Sequence, residues 1–191
     1  MIRILVVDDH PAMRAGLNGV LTAEPGLVPL ATAASEEELV PALNRTKPDV
    51  VLLDYHLPGS DGLVLCRRIK RQLPAPAVLI YSAYADAQLA IPAVLAGADG
   101  LLHKSAPAAD LYNAIRTVAR GDRAMPPVAP QLIQAASERL APDDLPVLGM
   151  VLDGAGLDEI AATLRCDPRE IARRVDGMLQ RLRVGVPSPT G

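Results

Sequence analysis

The chain contains no tryptophan and no phenylalanine, and four tyrosines (Tyr55, Tyr81, Tyr84 and Tyr112) are its whole aromatic complement. That excludes a core of stacked rings, so the interior must be assembled from Leu, Val, Ile and Ala, and half of all residues are hydrophobic. Cysteine is almost as scarce. Cys66 and Cys166 lie far apart with no partner spacing, are expected to be reduced, and exclude a disulfide-stapled fold. No excess of basic charge exists either: 19 basic against 22 acidic side chains leave a net charge of −3, which predicts no general attraction to nucleic acid or anionic membrane. A long unbroken apolar run is also missing. The longest apolar region, 75–102, is interrupted by Asp86, Pro92 and Asp99, and the first run stops at two aspartates, so neither a membrane span nor a signal peptide is expected. These absences leave a soluble cytoplasmic protein of one large or two small domains.

What is present is a repeated pattern of apolar runs that end in a polar residue. Ile4-Leu5-Val6-Val7 ends at Asp8-Asp9, and Asp49-Val50-Val51-Leu52-Leu53 ends at Asp54. Ala77-Val78-Leu79-Ile80-Tyr81 ends at Ser82, and Gly100-Leu101-Leu102-His103 ends at Lys104. Strands are expected near 2–7, 28–33, 49–54, 77–82 and 100–103, alternating with helices near 12–22, 35–46, 61–72, 85–95 and 107–119. Strict β/α alternation implies a doubly wound parallel sheet with helices on both faces. In such a sheet the carboxyl ends of the strands lie side by side and form the ligand crevice. Three carboxylates, a hydroxyl and an ammonium would converge there.

Adjacent carboxylates repel, and a third makes the cluster costly unless a cation neutralises it. Oxygen-only ligands with room for water favour Mg²⁺ over zinc. An aspartate in such a site can attack phosphorus and form an acyl phosphate, with Lys104 and the Ser82 hydroxyl facing the phosphoryl oxygens. His10, His56 and His103 show no helical ligand spacing and are read as solvated or partly packed.

Several of these segments together resemble the receiver domain of two-component response regulators: Val6-Val7-Asp8-Asp9-His10-Pro11, Asp49 to Asp54 with Leu57-Pro58-Gly59-Ser60-Asp61-Gly62, Tyr81-Ser82-Ala83, and Gly97-Ala98-Asp99-Gly100 through Lys104. The resemblance covers residues 1–120 and implies a flavodoxin-like (βα)5 fold with strand order 2-1-3-4-5. It further implies that Asp54 is the phosphoacceptor and that Asp9 is a direct Mg²⁺ ligand. Asp8 would hold a metal-bound water, the main-chain carbonyl of His56 would complete the ligands, and Ser82 and Lys104 would contact the phosphoryl group. One departure stands out. The position three residues before the lysine usually carries an aromatic residue that rotates on activation, and here it is Leu101.

Gly121-Asp122 followed by Pro126-Pro127 and Pro130 marks a linker, 121–139, with a helix around Leu132 and Ile133. Residues 140–184 show helical patterns only: helices over Leu157 to Leu164 and Pro168 to Leu182 flank Arg165-Cys166-Asp167, with Asp167-Pro168 as a helix start. This stretch resembles the helix-turn-helix domain of LuxR and NarL type, a small all-α module, and implies DNA binding through Arg169, Arg173 and Arg174. Several features oppose that. Between 139 and 184, seven arginines and no lysine face eight acids. Ala172 and Asp176 stand where the family is commonly basic. Pro146 would fall inside a helix and bend it. The last seven residues, 185–191, read as a disordered tail where a fourth helix would serve dimerisation.

The combined expectation is a response regulator, not an enzyme, phosphorylated on Asp54 by a histidine kinase and regulating transcription on DNA, with a homodimer possible. The alternative is a phosphorylation-gated protein-interaction regulator whose degenerate helix-turn-helix does not bind DNA. A free-standing Mg²⁺-dependent phosphatase is the remote third reading.

Overall fold

The computed structural model describes residues 1–85 and 87–183. The expected tail over 185–191, and with it the question of a fourth helix, lies outside the described residues. Packing divides the chain into two compact units, 1–86 with 96–126, and 87–95 with 127–191.

The first unit is built on five parallel strands: β1 (Ile2–Val7), β2 (Leu27–Ala33), β3 (Val50–Leu53), β6 (Ala77–Ser82) and β7 (Gly100–His103). A two-stranded antiparallel ribbon, β4 (His56–Leu57) and β5 (Ser60–Asp61), lies between β3 and β6 in sequence. The sheet order β2-β1-β3-β6-β7 is the expected one. All four residues of β3 are buried, as are the last four of β1 and the last five of β6. Central parallel strands are covered on both faces and therefore read as continuous apolar runs rather than as alternation.

Helices α1 (Pro11–Ala23), α2 (Glu36–Thr46), α3 (Gly62–Lys70) and α5 (Ala108–Ala119) flank this sheet. Leu17 and Leu21 of α1 and Leu111, Ile115 and Val118 of α5 share one cluster with Ile4, Val6, Val50, Leu52 and Leu79. With no phenylalanine or tryptophan available, branched aliphatics fill this space, at roughly 1.5–3 kcal/mol of burial per large side chain. Ser35 is the residue before α2, but its side chain makes no capping bond. Asp61 caps α3, accepting from the amides of Leu63 and Val64.

The second unit contains α4 (Ala87–Ala96, of which residues 87–95 belong to it), α6 (Pro130–Ser137), α7 (Leu145–Leu152), α8 (Leu157–Leu164) and α9 (Pro168–Leu182). The sequence pattern assigns α4 to the sheet, whereas packing groups it with the C-terminal helices. The helix AQLAIPAVLA carries no charge, and it is buried from Leu89 through Ala96. A helix apolar on every side needs cover on every side. Helices α6 and α9 give part of that cover around Ile91 and Pro92, where a cavity of about 260 Å³ remains.

The expected bend at Pro146 does not occur. A 3-10 turn, Pro142–Asp144, precedes α7, which starts at Leu145 and places Pro146 in its first turn. There the missing N–H is one that the helix would leave unpaired in any case. Helices α8 and α9 match the expected helix-turn-helix. Arg165 closes α8 in the left-handed region at φ 53°, and Asp167 caps α9 by accepting from the Arg169 amide at 2.6 Å.

Candidate phosphoacceptor site

The strand register brings the expected residues together. Val7 pairs with Leu53, and Leu53 with Ile80, so β1, β3 and β6 end at neighbouring positions. Beyond the ladder, the Asp54 amide donates to the Val7 carbonyl at 2.8 Å, and the Asp8 amide to Ala33 at 3.1 Å. The Lys104 amide donates to the Ser82 carbonyl at 3.0 Å. Asp8, Asp54 and Ser82 are consequently buried at 2%, 4% and 0% exposure, although all three are polar.

One ammonium ties the cluster. Lys104 Nζ is 2.6 Å from Asp8 Oδ2 and 2.6 Å from Asp54 Oδ2. Burial raises the Asp54 carboxyl above its ordinary range, with Lys104 opposing that rise. Burial alone would lower the Lys104 ammonium, but the two carboxylates outweigh it and leave it raised. The remaining Asp8 oxygen accepts from the His10 amide at 2.8 Å, and Asp54 Oδ1 from the His56 amide at 3.3 Å. The Ser82 hydroxyl oxygen accepts from the Tyr84 amide at 3.1 Å, which leaves its proton for an acceptor in the crevice.

Asp8, Asp9, His10 and Asp54 each present a ligand atom within 4.8 Å of the others. Asp9 Oδ1 is sequestered from solvent without a hydrogen-bond donor. Nδ1 of His10 is 2.8 Å from that oxygen, in ion-pair range but outside hydrogen-bond geometry. An orphaned carboxylate oxygen beside two further buried carboxylates is a donor set suited to a hard divalent cation. His10, read from the sequence as a bystander, thus belongs to the cluster.

Local backbone is shaped to fit. Gly62 follows the β4–β5 ribbon, and a Cβ there would sit 2.6 Å from the Asp54 carbonyl oxygen and 2.7 Å from Tyr55 Cα. Only glycine permits this approach. Three rings cluster beside the site: Tyr55 and Tyr84, which the sequence pattern did not assign to it, and His56, assigned only through its main-chain carbonyl. Tyr55 meets His56 edge-on at 4.7 Å between centroids, and His56 meets Tyr84 at 4.5 Å. Their positions, one and two residues after Asp54 and two after Ser82, were the available signal. Leu101 is buried at 5% exposure.

In the second unit, the three expected DNA contacts separate. Arg169 and Arg173 are exposed, one turn apart on α9. Arg174 instead turns to Asp144, with Nε 3.0 Å from Oδ1, and also donates to the Asp143 carbonyl. Arg181 reaches the other oxygen of Asp144 at 3.2 Å. Asp144 is 8% exposed, so this pair of arginines compensates a buried charge.

A parallel five-stranded sheet with three carboxylates and a lysine at its carboxyl edge defines a receiver-type α/β domain, here joined to an all-helical module. Residues 4–116 match the profile of the response regulator receiver domain, and the chain belongs to the response regulator family. A LuxR-family two-component response regulator from Aurantimonas is 35% identical, over 72% of this chain and 96% of that one, with a TM-score of 0.62. The DNA-binding transcriptional activator DevR/DosR of Mycobacterium tuberculosis is 29% identical over 95% of this chain and 88% of its own. RcsB of Salmonella, solved on a promoter in the presence of a beryllofluoride phosphomimetic, is 22% identical over 96% of this chain and 92% of that one, with a TM-score of 0.63. It supports the fold alone. No helix among the described residues is long and apolar enough to cross a membrane.

Proposed function

We propose that Asp54 receives a phosphoryl group from a histidine kinase and that this event controls transcription through DNA binding by α8 and α9. The observation that carries the reading is the Lys104 ammonium held 2.6 Å from both Asp8 and Asp54 at the carboxyl edge of the sheet. A carboxylate oxygen of Asp54 would attack phosphorus as the N–P bond of a phosphohistidine breaks and its electron pair returns to the imidazole. Lys104 and the Ser82 hydroxyl stand ready to take the phosphoryl oxygens.

Asp8, Asp9, Asp54 and the main-chain carbonyl of His56 are the groups that would hold Mg²⁺. When bound, the cation would offset the carboxylate charge and that of the phosphoryl oxygens. One relative supports the output half: DevR/DosR is a DNA-binding transcriptional activator. The self-limiting chemistry of one acyl phosphate per chain is that of a switch rather than of an enzyme.

A second reading, a phosphorylation-gated protein-interaction module, is favoured by one observation. Arg174 and Arg181 are taken up by Asp144, which leaves few exposed cations on α9 to meet phosphates. Selection of genomic DNA with the full chain, with and without beryllofluoride, separates the two. An enriched motif supports transcriptional control, and no enrichment in either state refutes it. If DNA binds, replacing Arg169 and Arg173 together by Ala should reduce the slope of log affinity against log salt by about two, near 0.9 per phosphate contact. Arg174→Ala should leave that slope unchanged and lower the melting temperature instead.

A further inference from the structure

We infer that His103, together with Tyr81, is a positioning residue that clamps the loop carrying Ser82 to the loop carrying Lys104, so that hydroxyl and ammonium meet the phosphoryl group as one unit. This inference rests on the proposed phosphorylation of Asp54 and deepens it. Strands β6 and β7 pair as far as Ser82 opposite His103, and the ladder closes with the Lys104 amide on the Ser82 carbonyl at 3.0 Å. Beyond that point the two chains leave for different helices, and β7 is the last strand of the sheet, bridged on its outer side by Ala124 at Gly100 but not at its carboxyl end. Both groups that face the phosphoryl oxygens therefore sit where sheet hydrogen bonding has just run out.

Two side chains continue the cross-linking in opposite directions. From β7, His103 Nε2 lies 2.7 Å from the carbonyl oxygen of Ala83, the residue after Ser82. From β6, the Tyr81 hydroxyl donates to the carbonyl of Lys104 itself at 3.1 Å. The ring of His103 has a defined tautomer. The Ser105 amide donates to Nδ1 at 3.1 Å, which makes Nδ1 an acceptor and leaves the proton on Nε2 for Ala83. Ser105 Oγ, 2.6 Å from Nδ1, holds the ring from the same side. Ser105 thus aims the imidazole, and the imidazole spans the gap between the loops. The side chain is exposed, so packing does not explain its place.

The clamp also bears on Leu101, which is buried and has no ring to rotate. The Tyr81 hydroxyl, for its part, is spent on the Lys104 backbone. Positioning of this kind matters because small misplacement of a reacting partner is expensive in rate.

The test uses the full chain, Mg²⁺ and acetyl phosphate as a small phosphodonor, with acyl-phosphate formation followed to give a saturating rate constant and a half-saturation concentration. His103→Ala should lower the saturating rate constant by about tenfold and leave half-saturation within about twofold, since orientation and not donor binding is lost. His103→Gln, whose amide nitrogen falls near the place of Nε2, should recover most of the rate. His103→Asn, which reaches only the Nδ1 place and so cannot bridge to Ala83, should stay as slow as the alanine variant. Tyr81→Phe should lower the same rate constant with an unchanged melting temperature. A His103→Ala variant at the wild-type rate, rescue by Asn equal to that by Gln, or an effect confined to half-saturation would overturn the inference. Wild-type protein that takes no label on Asp54 would overturn the proposed function instead.

Discussion

Lys104→Met probes the site most directly, because methionine is unbranched, only one heavy atom shorter than lysine, and uncharged. In the native protein the ammonium is 12% exposed and sits between Asp8 at 2% and Asp54 at 4%. Removing it leaves two buried carboxylates facing each other without a counter-charge. Breaking a buried ion pair from one side costs about 3–5 kcal/mol. That is a large share of the roughly 5–15 kcal/mol that holds a domain together. The counterpart, Asp54→Asn, should differ between two backgrounds. With Lys104 present it removes a favourable contact but also the burial cost that holds the Asp54 carboxyl above its ordinary range, so its effect is small. In the Lys104→Met background it removes one of two repelling charges and stabilises clearly. The coupling should reach about 2–3 kcal/mol, the upper end for neighbouring groups. Urea unfolding followed by far-ultraviolet circular dichroism, with EDTA throughout, gives all four corners of the cycle. Tryptophan fluorescence cannot serve, since the chain has none. A cost below about 1 kcal/mol for Lys104→Met, or the same effect of Asp54→Asn in both backgrounds, would refute the electrostatic reasoning.

Gly62→Ala should destabilise by about 3 kcal/mol and slow phosphorylation, because the new Cβ would press on the Asp54 carbonyl; an unchanged melting temperature would contradict the close approach. Burial pushes the Cys66 thiol up to about 12, so a disulfide reagent at pH 8 should titrate one thiol per native chain, Cys166, and two after unfolding. Two fast thiols in the native protein would count against that. The hydrogen bond from Arg3 holds the Asp49 carboxyl below its ordinary range, burial opposing it. A depressed folded-state value stabilises above the unfolded value near 3.9 and loses that contribution as pH falls through the folded one. The stability gap between wild type and Asp49→Asn should therefore shrink on acidification below about pH 4, and a gap that widens would reverse the assignment.

The sheet was legible in the sequence because each central strand is buried on both faces and so appears as an unbroken aliphatic run. Strand ends were legible because a polar residue terminates each apolar run, although Asp8, Asp54 and Ser82 are themselves buried there. That physics places Asp8, Asp54, Ser82 and Lys104 on one edge, and the structure has them there. It could not reveal which oxygen pairs with which nitrogen. Arg174 reads as one more cation on an exposed helix, yet its partner Asp144 lies thirty residues away and is brought near only when α7 and α9 pack. Pro146 reads as a helix breaker because the pattern extends the helix back to Pro142, whereas a 3-10 turn ends first and moves the proline to a tolerant position. The uncharged α4 announces burial but not the neighbour that buries it.

His103 shows the same limit at the site itself. As the last residue of an edge strand it reads as solvated, and exposed it is. Its function depends on a carbonyl twenty residues earlier in the chain and on a serine two residues later, and only the paired ends of β6 and β7 bring all three together. Sequence periodicity reports which side of a sheet or helix is covered. It carries no information on hydrogen bonds made where periodic structure ends, and in this protein the chemistry is placed at those ends.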